Sequence, residues 1–134
     1  MDEEVFPIKK DFERAKDLIT YAKDRLILIK RAYEEERRYK VVEEAYESIK
    51  ESLTAVMFID GYKTLSHVKL IEYFNENYRI LSESEKRLLD LLRKLRHGVV
   101  YYGEKVTQNF IDNNYREILV IIKKLIQFVE EKIK

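Results

Sequence analysis

The residues best suited to chemistry fall together in the segment from Arg93 to Gly103. Arg96 carries a guanidinium, which stays charged at physiological pH and offers a rigid fork of donors that suits a phosphate. His97 adds an imidazole, the side-chain type that changes charge near neutral pH, and Tyr101 adds a phenol that can donate or accept a hydrogen bond. These three side chains together could hold a phosphodiester and move a proton, so we take them as candidate catalytic residues.

Helical geometry places further polar residues beside Arg96. With about 100° of rotation per residue, Arg93, His97, Tyr101 and Glu104 project to one side of Arg96, whereas Arg96 itself falls within an apolar arc. That arc is formed by Leu88, Leu89, Leu92, Leu95, Val99 and Val100. The segment therefore predicts a helix with a polar flank and one arginine set among apolar residues.

Arg93, Tyr102 and Glu104 are secondary candidates for the same site. A guanidinium within an apolar arc is costly unless it meets a carboxylate, a carbonyl or a phosphate. Two interpretations of the central arginine therefore stay open. It binds a ligand phosphate, or it pairs with an acid of the fold or of a subunit interface, for which the candidates are Glu43, Glu47 and Glu72.

The first half of the chain is predicted to form two long helices. Apolar residues at three- and four-residue steps begin directly after Pro7, and proline is favourable near a helix start. The polar cluster Glu34-Glu35-Glu36-Arg37-Arg38 is the expected bend, because no glycine or proline interrupts the chain before Gly61. Gly61 then ends the second helix as its C-terminal stop.

The second half is predicted to hold three more helices. Thr64 or Ser66 caps a short one, which closes near Asn75–Asn77, and Ser82-Glu83-Ser84-Glu85 starts the next with a capping-box pattern. That helix stops at Gly103. A polar connector from Thr107 to Asn114 then precedes a last helix from about Tyr115 to Lys134. The fold class predicted for residues 1–134 is all-α, a single-domain up-and-down bundle of four to five antiparallel helices.

Composition narrows the classes of function. The chain has 26 basic and 25 acidic residues, and this balance argues against a disordered tail and against a nucleic-acid-binding field over the whole surface. The absence of cysteine and the acidic start, Met1-Asp2-Glu3-Glu4, indicate an intracellular protein without a signal peptide. No apolar run approaches the roughly 18 residues of a membrane span. We therefore expect a cytoplasmic protein without membrane contact.

No motif predicts a cofactor or a metal. His67 and His97 are the only histidines, and without cysteine no spacing resembles a zinc site. Glycine-rich phosphate loops and dinucleotide fingerprints are also missing from the sequence. His67 lies at the start of the third helix, where an imidazole is more typical of a capping or packing residue than of a reactive one.

The run Arg96-His97-Gly98-Val99-Val100-Tyr101, placed late in a helical bundle, resembles the signature of the HEPN domain family. In that signature an arginine and a polar residue precede a histidine. Arg96 matches the arginine and His97 the polar second position, whereas Tyr101 stands where the family has its histidine. The segment from Gly61 to Phe74 is similar to the exit of the second helix and the third helix of that family.

The resemblance implies a homodimer with the motif at the subunit interface and RNA as a frequent substrate. Many members are metal-independent endoribonucleases of toxin or defence type, often found beside a nucleotidyltransferase partner. In those members the arginine steadies the scissile phosphate and the histidine transfers a proton. The site residues implied for this chain are thus Arg96, His97 and Tyr101.

Tyr101 leaves open whether the chain is an enzyme. A phenol, whose ordinary pKa is about 10, is a poor base at neutral pH. On the nuclease hypothesis, His97 substitutes for the family histidine while Tyr101 holds the phosphate. The alternatives are a non-catalytic HEPN module that binds RNA, a nucleotide or a nucleotidyltransferase partner, and a purely structural helical dimer.

Overall fold

Five helices and a two-stranded sheet make up the structure, a computed structural model that describes residues 4–134. The elements in chain order are β1 (Val5–Pro7), α1 (Phe12–Glu34), α2 (Arg38–Asp60), β2 (Tyr62–Thr64), α3 (His67–Asn77), α4 (Glu83–Tyr102) and α5 (Gln108–Ile133). Four long helices and one short helix confirm the predicted all-α bundle. The predicted absence of a signal peptide rests mainly on residues 1–3, which lie outside the described residues. No helix in the described part of the chain is long and apolar enough to cross a membrane.

The start of α1 differs from the prediction. Pro7 ends β1, which pairs antiparallel with β2, so that Pro7 lies opposite Tyr62. Proline suits this edge position because its nitrogen has no hydrogen to donate to a neighbouring strand. α1 begins only at Phe12, where the Asp11 carboxylate accepts a hydrogen bond of 2.9 Å from the backbone N–H of Arg14. The prediction of a helix directly after the proline is therefore wrong.

The other predicted helix boundaries in the first four helices agree with the structure. α1 ends at Glu34, and Glu36 takes a left-handed conformation with φ of 56°, which turns the chain into α2. Gly61 ends α2 with φ of 92°. Of the two predicted caps for α3, Ser66 is the one used, because its hydroxyl accepts a hydrogen bond of 3.1 Å from the N–H of Lys69.

α4 is fixed at both ends by local chemistry. Ser82 and Glu85 form the predicted capping box, in which each side chain accepts a hydrogen bond from the backbone N–H of the other residue. At the other end, Gly103 has φ of 64°, a left-handed conformation that glycine adopts without steric cost. The α4 helix therefore runs over the span that the sequence predicts, and it carries the candidate residues from Arg93 to Tyr102.

The last helix is longer than predicted. α5 begins at Gln108, with the Thr107 hydroxyl accepting a hydrogen bond of 3.1 Å from the N–H of Phe110. The prediction of a connector over 107–114 is wrong because the polar residues of this stretch lie on the exposed side of two helical turns. Ile111, on the opposite side, is buried. Asn114 donates to the carbonyl of Phe110, a bond that a helix accommodates.

α2 is the helix around which the others pack. It contacts α1, α3, α4 and α5, and Tyr46, Ile49, Leu53 and Met57 on it are almost fully buried. This central position brings the side of α2 that carries Tyr46 and its neighbour Glu47 against α4. Arg96, the central candidate residue of α4, therefore faces a helix of the core.

Candidate functional site

A cavity between α4 and the first residue of α3 gathers most of the predicted site residues. It has a volume of about 210 Å³ and is lined by His67, Arg93, Arg96, His97 and Tyr101. We call it the α3–α4 cavity. Larger hollows lie elsewhere, including one of about 720 Å³ beside Gly103, but no arginine of α4 and neither histidine lines it. The α3–α4 cavity is singled out by its chemistry rather than by its size.

Arg96 is held in place by α2. Its Nη2 donates to Oε1 of Glu47 at 2.9 Å, and its guanidinium carbon lies 5.8 Å from the ring centre of Tyr46. Glu47 is one of the three acids that the sequence offered as partners. Nε of Arg96 is buried and has no hydrogen-bond partner in the described part of the chain. The guanidinium is thus oriented by the fold but not saturated by it.

Arg93 is oriented by its own helix. Its Nε and Nη2 both donate to Oδ1 of Asp90, at 3.2 and 2.9 Å. The same carboxylate pairs with Lys94 at 3.1 Å. Hydrogen bonds from Lys94 and Arg93 lower the pKa of Asp90, which keeps this carboxylate ionised. Arg93 and Asp90 therefore form an ion pair. Arg93 also lines the cavity.

The surroundings of the cavity carry more positive than negative charge. Glu47 is shared between Arg96 and Lys50, whose Nζ lies 3.1 Å from its second oxygen. Asp90 is shared in the same way between Arg93 and Lys94. Each carboxylate thus serves two cations. The excess of cations over carboxylates, with guanidiniums on the wall, favours an anionic ligand.

His97, Tyr101 and Tyr102 form an exposed aromatic group at the C-terminal end of α4. The ring centroid of His97 lies 4.7 Å from that of Tyr101 and 5.8 Å from that of Tyr102. Tyr101 keeps 64% and Tyr102 73% of its surface exposed, so a large ligand can reach both. Tyr102 contacts His97 but does not line the cavity.

Glu104 is not brought into the cavity. The helical projection that placed it beside Tyr101 does not apply, because α4 ends at Tyr102 and the chain reverses at Gly103. The backbone N–H of Glu104 donates to the carbonyl of Gly98 at 3.1 Å. Its carboxylate lies over Gly98, and the residue lines the neighbouring groove.

His67 and Tyr46 are parts of the site that the sequence did not assign to it. The Tyr46 hydroxyl oxygen lies 3.1 Å from Nδ1 of His67. Burial, with Lys50 and Arg96 nearby, lowers the pKa of His67, so its imidazole is neutral at pH 7. Burial raises the pKa of Tyr46 to about 12, so its phenol stays protonated. Spacing along the sequence carried no signal for this contact, because it joins residues 21 positions apart.

The described residues offer no ready place for a metal. No group of three or more histidine, aspartate, glutamate or cysteine side chains is positioned in residues 4–134 to hold an ion. The acids near the cavity, Glu47 and Asp90, are each engaged with arginine and lysine. The functional groups of the α3–α4 cavity are therefore guanidiniums, imidazoles and a phenol.

Comparison with known proteins gives one finding. The family model described as HEPN domain matches residues 15–132, which is most of the chain and includes every residue of the α3–α4 cavity. No curated protein and no solved structure matches the chain.

Proposed function

This chain belongs to the HEPN family, and we propose that it binds RNA at the α3–α4 cavity and cleaves it there without a metal ion. The observation that carries the proposal is the gathering of Arg93, Arg96, His97 and Tyr101 in one cavity with a positive surplus. Guanidiniums bind phosphate oxygens through paired hydrogen bonds, and the imidazole supplies a proton-transfer group. A toxin or defence role accords with this activity.

The cleavage reaction assigns a task to each group. The ribose 2′-oxygen attacks phosphorus and the bond to the 5′-oxygen breaks, which gives a 2′,3′-cyclic phosphate and a free 5′-hydroxyl. Arg96 and Arg93 offset the negative charge that builds up on the phosphate oxygens. Tyr101 donates a hydrogen bond to the phosphate, and His97 exchanges a proton. One proton must leave the 2′-hydroxyl and one must reach the 5′-oxygen.

A second candidate is a non-catalytic module that binds a nucleotide, RNA or a nucleotidyltransferase partner at the same cavity. The observation that favours it is Tyr101, a phenol at the position where the family signature has a histidine. The Arg96–Glu47 ion pair in turn supports the purely structural interpretation, since both side chains are only about one-fifth exposed, at 22% and 21%. Replacing each partner of this pair in turn distinguishes a ligand-binding role of Arg96 from a purely structural role.

The test compares Glu47→Gln with Arg96→Gln in binding a fluorescent RNA oligonucleotide. On our proposal Arg96→Gln weakens binding and lowers the slope of its salt dependence by about one, because one phosphate contact is lost. Glu47→Gln strengthens binding, because it removes the carboxylate that competes with phosphate for the guanidinium. The exposed Arg116→Gln on α5 is the matched control and leaves the affinity unchanged.

The two substitutions also report on structure. If Arg96 serves only the fold, both variants lose thermal stability to a similar degree and neither changes the affinity relative to the control. That result would show that RNA does not bind at the α3–α4 cavity. Binding that depends on Arg96 without any cleavage would favour the non-catalytic module.

A further inference from the structure

The cleavage reaction needs two proton transfers, and the motif on α4 supplies a single imidazole. The second imidazole of the chain comes from a different helix. His67 is the first residue of α3 and lines the same cavity of about 210 Å³ as His97 and the two arginines. α3 begins at His67 because the preceding residue, Ser66, is its N-terminal cap.

The ring of His67 is oriented by α2. Its Nδ1 lies 3.1 Å from the Tyr46 hydroxyl, and the two ring centroids are 5.7 Å apart. Tyr46 is only 1% exposed, so its hydroxyl has a fixed position. Engagement of Nδ1 leaves Nε2 as the nitrogen that can meet a ligand. When Nδ1–H donates to the tyrosine oxygen, Nε2 carries the lone pair of a base.

We propose that His67 is the general base of this site: its Nε2 takes the proton of the ribose 2′-hydroxyl, and His97 gives a proton to the leaving 5′-oxygen. The 2′-oxygen then forms its bond to phosphorus as the bond from phosphorus to the 5′-oxygen breaks. This inference rests on the proposed RNA cleavage. It assigns the acid and base roles to two helices, with Tyr101 left as a hydrogen-bond donor.

The charges around His67 suit a base at neutral pH. Lys50 and Glu47 on α2 and Arg93 and Arg96 on α4 face it, with Tyr46 beside them. Burial comes first in lowering the pKa of His67, the cations of α2 and α4 add to it, and Glu47 acts in the opposite direction. Because only the neutral ring acts as a base, the rate of cleavage decreases as the pH is lowered. The midpoint of this decrease lies below the ordinary histidine pKa of about 6.5.

The first experiment measures kcat/KM for cleavage of an RNA oligonucleotide in excess chelator as a function of pH. His67→Gln is expected to lower kcat/KM at pH 7 by about 100-fold and to remove the fall on the acid side. Tyr46→Phe, which tests a positioning residue, lowers kcat with little change in KM. Glu76→Gln, an exposed change on α3, is the control. A His67→Gln variant that keeps the wild-type pH profile would overturn the assignment.

The second experiment distinguishes failure of this inference from failure of the proposed function. The chain has only two histidines, so His67→Gln alone assigns both imidazole signals in an NMR spectrum of 15N-histidine-labelled protein. The probe is a 2′-O-methyl RNA oligonucleotide, which binds but cannot be cleaved. Shifts of both imidazoles, lost in Arg96→Gln, support the inference.

Three other outcomes overturn it. A shift of His97 alone, still dependent on Arg96, would exclude His67 from the site but leave RNA binding intact. No shift of either imidazole and no binding dependent on Arg96 would remove both the inference and the proposed function. If both imidazoles shift on binding but the wild type does not cleave RNA, His67 is not a general base.

Discussion

Arg96, taken as a single residue, combines two contacts with α2 and one unpaired donor. It forms an ion pair with Glu47, its cationic group lies over the ring of Tyr46, and its Nε has no hydrogen-bond partner among residues 4–134. A charge-assisted hydrogen bond of this type stabilises a fold by about 1.5–3 kcal/mol. Because the carboxylate also pairs with Lys50, an incoming phosphate can replace it at the guanidinium without leaving it unpaired.

A substitution of Tyr101 tests the role of the position at which the family signature has a histidine. Tyr101→His places an imidazole at the motif position where the family signature has its histidine, beside His97 and within the α3–α4 cavity. An imidazole at this position takes over the proton donation that we assign to His97, and it does so from the place where the family signature has its histidine. We therefore expect RNA cleavage to rise by at least about tenfold. The rate is measured in excess chelator at pH 7.

The control for this prediction is Tyr21→His, an exposed tyrosine on α1. It adds a histidine without touching the cavity and leaves the rate unchanged. If both variants cleave equally, the position of Tyr101 has no special part in proton transfer, and the match to the family signature at this residue loses its meaning.

At the scale of the element, α4 depends on two glycines with opposite requirements. Gly98 lies inside the helix, and the atoms nearest to a Cβ there belong to the carboxylate of Glu104, the end of an exposed flexible side chain. Gly103 has φ of 64° and open space around it. An alanine at position 98 therefore has to displace the Glu104 carboxylate, whereas an alanine at position 103 has room but must adopt a left-handed backbone conformation.

Alanine substitutions at these two glycines are expected to change stability in opposite directions. Gly98→Ala raises the free energy of unfolding by about 0.5–1 kcal/mol, because alanine is the better helix former and Glu104 can move aside. Gly103→Ala lowers it by about 1–2 kcal/mol, because an L-residue is strained in the left-handed region. Urea denaturation of the pair decides the question. A Gly98→Ala variant less stable than Gly103→Ala would show that the carboxylate cannot move.

The elements also show what sequence can and cannot predict. The boundaries at Ser82, Gly61 and Gly103 were predictable, because caps and left-handed glycines act within a few residues. The start of α5 was missed because polar residues suit an exposed helical face as well as a loop. The contacts of His67 with Tyr46 and of Arg96 with Glu47 join different helices, so only packing reveals them. Arg93, Arg96, His97 and Tyr101 could be predicted because they share one helix.

For the whole molecule, exposed apolar residues occur on several elements, and some of them are neighbours in sequence of the residues that line the cavity. Leu65 is 87% exposed at the entry to α3, and Val100, Tyr101 and Tyr102 are exposed on α4. HEPN domains often dimerise, and apolar exposure of this kind is typical of an interface. We propose that two copies meet here and that each completes the RNA-binding cleft of the other.

Sedimentation equilibrium tests the dimer. At micromolar concentration we expect a particle of twice the 16.3 kDa of one chain. Val100→Glu introduces a charge into the proposed interface and shifts the equilibrium to the monomer, because a charge without a partner is costly to bury. Ile27→Glu, at an exposed apolar residue of α1, is the matched control and leaves the dimer intact. A wild-type particle of 16.3 kDa at this concentration would contradict the proposal.

Metal-independent RNA cleavage at the α3–α4 cavity is best tested by incubating labelled total RNA with the purified protein in excess chelator, beside Arg96→Ala. We predict that the wild type cleaves RNA and leaves 2′,3′-cyclic phosphate ends, whereas Arg96→Ala retains its helical circular dichroism and does not cleave. Intact RNA with the wild type, or equal cleavage by a folded Arg96→Ala, would contradict the account.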